Sequence, residues 1–281
     1  MMDFGRAQAK SLVNIAGVKS LSARAVEEAR LYVSASLLRI LQTCATNRVN
    51  NAPPPTVKLD RLSRRFGTRW ALRAVTLEVQ PGEIVGVIGH NGSGKSTLLR
   101  VISTALRPSV GDGWIYGHHL VREAVTVRRH IGFLAHAPGL YEDLTATENL
   151  IFAARMFGIA EDGIEGVLER VGLAHARAER VRGFSAGMQR RLALARLILG
   201  APRVLLLDEP YNNFDPQGIE LVNDVIQDVA NAGGSALVVL HDQRQGERVL
   251  DRVIELNRGA LVVNPADVQP LTFATPSGLP A

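Results

Sequence analysis

The chain has 281 residues, 46% of them hydrophobic and 21% charged, with a net charge of +5. That suits one large domain or two modest ones of ordinary globular composition. Its single cysteine, Cys44, excludes a disulfide framework and points to a reducing compartment. The basic excess is local: residues 1–58 hold eight Lys and Arg against three acids, whereas residues 59–281 hold 24 of each, so no nucleic-acid footprint is expected on the core.

The first segment is acid-poor. Val26, Ala29, Val33, Leu37 and Ile40 recur there at roughly helical spacing. It reads as a poorly ordered tail or as a surface-lying amphipathic helix or targeting segment. Its most apolar run, LYVSASLLRIL at 31–41, carries Arg39 and is far shorter than the ~20 residues of a membrane helix. NNAPPPT at 50–56 is a boundary, because three consecutive prolines cannot continue a helix. The expected division is an extension over 1–55, a main domain over 56–265 and a tail over 266–281.

After the boundary, AVTLEV, EIVGVIG, RVLLLDE, ALVVLH and RVIELN read as strands. The unbroken apolar runs VLLL and LVVL suit strands buried on both faces, as in a parallel sheet. STLLRVISTAL reads as a helix following one strand. Residues 146–200 are almost wholly helical in pattern, which predicts a helical subdomain over about 137–200. No internal repeat is visible.

GHNGSGKST, residues 89–97, stands directly behind EIVGVI. Gly89, Gly94, Lys95 and Ser96 have the spacing of a phosphate-binding loop, with Asn91, Gly92, Ser93 and Thr97 completing it. Glycines let the backbone wrap an oxyanion, and the N-terminus of the following helix turns its N–H groups toward it. From Leu59 onward the chain has 23 Arg and one Lys, and that one is Lys95. A compact ammonium on a flexible stem suits β- and γ-phosphates better than a guanidinium. Ser96 offers a hydroxyl to Mg²⁺. VLLLDEP at 204–210 supplies the complementary half: Asp208 emerges at a strand's C-terminal end, where it can hold Mg²⁺, and Glu209 follows, able to orient or deprotonate water.

FSAGMQRRLALARLILGAPRVLLLDEP resembles the signature helix and following acidic strand of ABC-type ATPases. The 87-residue spacing from Thr97 to Phe184 is similar to that of their transporter members, and the resemblance covers about residues 56–262. It implies an α/β P-loop NTPase core with a parallel sheet, an antiparallel β subdomain and an α-helical signature subdomain. It also implies ATP and Mg²⁺ as cofactors. By position, Phe66 matches the aromatic that stacks on adenine, the alternative being a core position on the first strands. His241 matches the switch histidine at the γ-phosphate. Asp215 matches the aspartate of the D-loop, here YNNFD rather than the usual SGLD. Ser185, Ala186, Gly187 and Met188 match the signature that binds the γ-phosphate of a second subunit. One such unit per chain therefore implies a dimer with ATP sandwiched between copies.

His136, in IGFLAHAPGLYEDLTATENL, stands where most of the family has a glutamine that couples the nucleotide to a membrane domain. That departure, with LTATENL and DPQGIE, resembles the CcmA-type ATP-binding subunits of cytochrome c biogenesis haem exporters. The resemblance implies a peripheral subunit on the cytoplasmic face of the cell membrane, bound to a separate permease and exporting haem. A general exporter of drugs, lipids or polysaccharides is the alternative. A soluble ABC ATPase is a second, although translation factors of this type carry two nucleotide units per chain and repair ATPases a long insertion.

Overall fold

The computed structural model describes residues 53–241 and 246–262. The expected N-terminal extension up to residue 52 and the tail from 266 lie outside these. In chain order the elements are β1 (Val57–Phe66), β2 (Arg69–Val79), β3 (Ile84–Ile88), α1 (Lys95–Ile102), β4 (Val110–Ile115), β5 (His118–His119), α2 (Ala124–His130) and β6 (Ile131–Leu134). There follow α3 (Ala146–Phe157), α4 (Ile164–Arg170), α5 (Ala186–Leu199), β7 (Val204–Asp208), α6 (Pro216–Asn231), β8 (Ser235–Val239), β9 (Arg252–Asn257) and β10 (Ala260–Leu261).

Two sheets result. The first is antiparallel, in the order β2-β1-β4-β5; the second runs β10-β9-β3-β8-β7-β6 and is parallel throughout except for β10. All five residues of β7 and of β8 are buried, as their apolar runs require. Successive side chains of β7 serve opposite cores. Val204 and Leu206 join Leu98, Leu99 and Ile102 of α1 and the inner face of the antiparallel sheet, whereas Leu205 and Leu207 join Val222, Val225 and Ile226 of α6. Each fully buried leucine contributes on the order of 2 kcal/mol. This is the expected α/β core with its antiparallel companion.

The helical part has a third core, built from Leu150, Leu168, Val181, Phe184 and Leu192. A capping box starts α3: the Thr145 hydroxyl accepts from Glu148 N and the Glu148 carboxylate accepts from Thr145 N. Gly158 ends that helix at φ 68°. Between α4 and α5 the chain forms only two single 3₁₀ turns, at Ala174–Ala176 and Val181–Gly183, so helix does not run continuously across 146–200. The helix expected over 96–106 is also shorter. It ends at Ile102, Thr104 turns left-handed at φ 64°, and Pro108 keeps the preceding residue from helical geometry.

Candidate active site

Strand order places the chemistry. The parallel strands end on one side, where ligands bind such sheets. β7 lies between β8 and β6, so the carboxylates at its end stand between the residues that leave those two neighbours. The chain leaving β8 presents His241 and the chain leaving β6 presents His136. Asp208 is buried at the last position of β7, and Glu209 follows at φ 52°. Glu209 Oε1 lies 3.1 Å from His241 Nε2, and Oε2 lies 3.6 Å from His136 Nδ1. Three residues distant in sequence thus meet around one carboxylate.

The loop between β3 and α1 occupies the same edge. Glycine is obligatory at two of its positions for lack of space: a Cβ on Gly89 would stand 2.1 Å from Leu256 O, and one on Gly94 2.5 Å from Ala71 O, both at positive φ. Asn91 and Gly92 are exposed, and Asn91 O accepts from or faces His90 Nδ1 at 2.8 Å. Lys95 is buried, its Nζ donating to Gly89 O at 2.6 Å and His90 O at 3.2 Å, which poises the ammonium over the loop. Ser96 Oγ donates to Asp208 Oδ1 at 3.2 Å, joining the loop to β7. Thr97 is half-buried on the first turn of α1.

These groups fit a magnesium polyphosphate. Ser96 and Asp208 offer hard oxygen ligands, Lys95 and the start of α1 offer positive charge, and Ser93 Oγ is buried within the loop with no hydrogen-bond partner.

Phe66, at the end of β1, is 46% exposed, which overturns the core alternative for it. The Arg64 guanidinium lies 4.6 Å from its ring centroid. The Arg69 guanidinium, at the start of β2, reaches the phosphate loop, its Nη2 standing 3.9 Å from where a Cβ on Gly92 would be.

The signature residues open α5, the helix that carries Arg190. Ser185 Oγ accepts from Met188 N at 3.2 Å and caps α5; Ser185 and Ala186 are exposed, Gly187 and Met188 half-buried. The N-terminus of that 14-residue helix is open to solvent and suited to an anion. Asp215 caps α6 through Gly218 N at 2.8 Å and pairs with Arg191 at 2.9 Å; that backbone bond, then the guanidinium, hold its carboxyl below the ordinary value.

Sequence reasoning missed Arg190 and Asn212. Arg190 is buried on α5, and its two terminal nitrogens donate to four carbonyls: Ala135 at 2.6 Å, His136 at 3.2 Å, Asp208 at 3.0 Å and Glu209 at 2.8 Å. Burial lowers its pKa, against the opposing charges of Asp208 and Glu209. The signal was available, because 190, 194 and 197 share one helical face and Leu194 and Leu197 are buried. Asn212 Nδ2 donates to Glu209 Oε2 at 2.8 Å.

Comparison with known proteins identifies the family. The model of the ABC transporter family matches residues 72–212. The chain is 36% identical over 209 residues to an uncharacterised ABC transporter ATP-binding protein of Bacillus subtilis strain 168, covering 74% of this chain and 68% of that one. It is 36% identical to a daunorubicin resistance ATP-binding protein of Streptomyces coeruleorubidus (73% and 66% covered). It is 34% identical to a bacitracin transport ATP-binding protein of Bacillus licheniformis (73% and 68%). The chain spans about two thirds of the length of these relatives. A solved ATP-binding subunit of an ABC transporter superposes with a TM-score of 0.70 at 29% identity, covering 74% of this chain and 88% of that one. With the phosphate loop, the acidic strand end and the open signature helix in place, the chain belongs to the ABC transporter family, as an ATP-binding, ATP-hydrolysing subunit on a P-loop core.

Proposed function

We propose that the chain drives export of small amphipathic compounds, working as a dimer on a separate membrane subunit at the cytoplasmic face. Family membership supports ATP with Mg²⁺, a dimer and a permease partner. Ser96 and Asp208 would hold Mg²⁺, which when bound would supply charge neutralisation for the phosphates. Lys95 and the loop N–H groups bind the phosphates. Glu209 accepts the proton of the attacking water, and His241 lies against the same carboxylate to contact the γ-phosphate. Residues 185–188 complete the partner's site.

The observation that carries the transport reading is a groove of about 900 Å³ beside the His136 loop. Val125, Met156 and Phe157 line it and are exposed, and Tyr141 and Phe152 pack edge to face nearby, also exposed. Exposed apolar side chains lining a groove suit a contact with an apolar partner segment. Arg196, on its wall, donates to Pro138 O and Gly139 O, so the groove is tied to the loop that carries His136. Among the described residues no helix is long and apolar enough to cross a membrane, and a permease segment seated here would supply the span.

Cargo follows the relatives: a daunorubicin resistance protein and a bacitracin transport protein support a general exporter over haem. The haem reading rests on His136 with LTATENL and DPQGIE, and stands second. A deletion strain separates the two. Increased sensitivity to amphipathic antibiotics, with normal haem-stained c-type cytochromes, is expected. Loss of those cytochromes without a sensitivity change would instead install haem export. Failure of Met156→Glu/Phe157→Glu to release the chain from membranes would remove the groove from the interface.

A further inference from the structure

Glu209 poses a positioning problem. It follows β7 in the left-handed region, at φ 52°, which non-glycine residues rarely adopt. The backbone there is set by Arg190, which takes the carbonyls of Asp208 and Glu209. Arg190 holds only backbone carbonyls there, and the carboxylate is met by other side chains.

Three side chains reach it. His241 meets Oε1; His136 and Asn212 meet Oε2. The imidazoles are 53% and 72% exposed and serve as donors only with the proton on the facing nitrogen. An amide N–H donates in every protonation state. The Asn212 contact is also the shortest of those on Oε2, 2.8 Å against 3.6 Å for His136. Asn212 is pinned by its own backbone, whose N–H donates to Glu209 O at 3.3 Å, so the amide closes a ring on the residue it holds. The side chain has only two rotatable bonds, so little entropy is lost in holding it.

We infer that Asn212 is a positioning residue for hydrolysis: its amide fixes the Glu209 carboxylate in the orientation from which it receives the proton of water. The inference rests on Glu209 as the group that takes that proton. Asn212 touches neither water nor phosphate in this role, so ATP affinity is independent of it.

The test compares Asn212→Asp, Asn212→Ala and Asn212→Gln in the full-length chain. Asp keeps the shape of the side chain, removes the donor and sets a second carboxylate against Glu209; Ala removes the group; Gln keeps an amide on a longer stem. The expected result is a kcat at least about tenfold lower for Asp and Ala, an unchanged ATP KM and melting temperature, and partial recovery in Gln. Where the steady rate of the free chain is too low to compare, ATP retained unhydrolysed in the dimer fraction reads the same step. Wild-type turnover in Asn212→Asp, or an equal fall in all three with a raised KM or lowered melting temperature, overturns the inference. Glu209→Gln is run in parallel. Normal turnover in that variant rejects the catalytic reading of Glu209. Arrest there with normal Asn212 variants rejects only the positioning role.

Discussion

At the scale of single residues, Lys95 shows how strictly a site can choose between two cations. Its Nζ sits 2.6 and 3.2 Å from two carbonyl oxygens of its own loop, in a buried seat at the start of α1. That seat accepts a compact ammonium; a planar guanidinium needs a wider fork of acceptors. Lys95→Arg should therefore fail nearly as fully as Lys95→Ala, although charge is kept. Losing charge-assisted hydrogen bonds of about 3 kcal/mol predicts roughly 100-fold weaker ATP binding by calorimetry. Affinity in Lys95→Arg close to that of the natural chain would show that charge alone suffices. The same selectivity explains why an Arg-rich sequence retains lysine at this one place after Leu59.

At the scale of elements, α3 depends on its capping box. Hydrogen bonds from the Thr145 backbone and side chain hold the Glu148 carboxyl below its ordinary value. A lowered folded pKa means that the unfolded chain binds the extra proton. The contribution is therefore present above the ordinary carboxylate range and is lost as pH falls through the lowered value. Glu148→Gln keeps an acceptor for Thr145 N and removes the titration. Thermal melts should place it below the natural chain at pH 7, with a shallower decline on acidification, so that the two curves converge below about pH 4. An equally steep acid decline in both proteins would show that the box does not titrate on folding. Thr145→Ala, which breaks the cap itself, should cost about 1 kcal/mol at neutral pH. The elements differ in how openly the sequence states them. β7 and β8 are legible because burial on both faces demands unbroken apolar residues. β6 is not, since IGFL is four residues long and contains a glycine, packed where a Cβ would meet Pro202 at 2.7 Å. The phosphate loop and DEP are legible because chemistry fixes their spacing. Arg190 is hidden among the charges of MQRRLALAR, and the Asn212 contact depends on a left-handed turn at Glu209 that no local residue announces.

At the scale of the whole molecule, each chain carries a phosphate loop before α1 and an exposed signature segment at the start of α5. Ser185→Arg adds bulk at the exposed start of α5 and leaves the chain's own loop intact, so ATP binding by the monomer should persist while turnover stops. Mixed with Lys95→Ala, it forms heterodimers with one site intact in both halves and one damaged in both. Trapped nucleotide should number one per heterodimer. Two per heterodimer, or equal loss of ATP binding in both separate variants, would count against shared sites. The Arg190 clamp also decides where the protein can yield. Four carbonyls from two strand ends are gathered on one guanidinium of α5, so this helix travels with the sheet. Any movement of the helical layer relative to the sheet would then be taken up on the opposite flank of α5. There Leu150 and Leu168 lie against Leu192 in an apolar seam, and apolar contacts slide without breaking directional bonds. Two directional bonds cross on that side, Arg191 to Val171 O at 3.1 Å and Arg170 of α4 to Asp228 of α6, and such a movement would have to release or follow them.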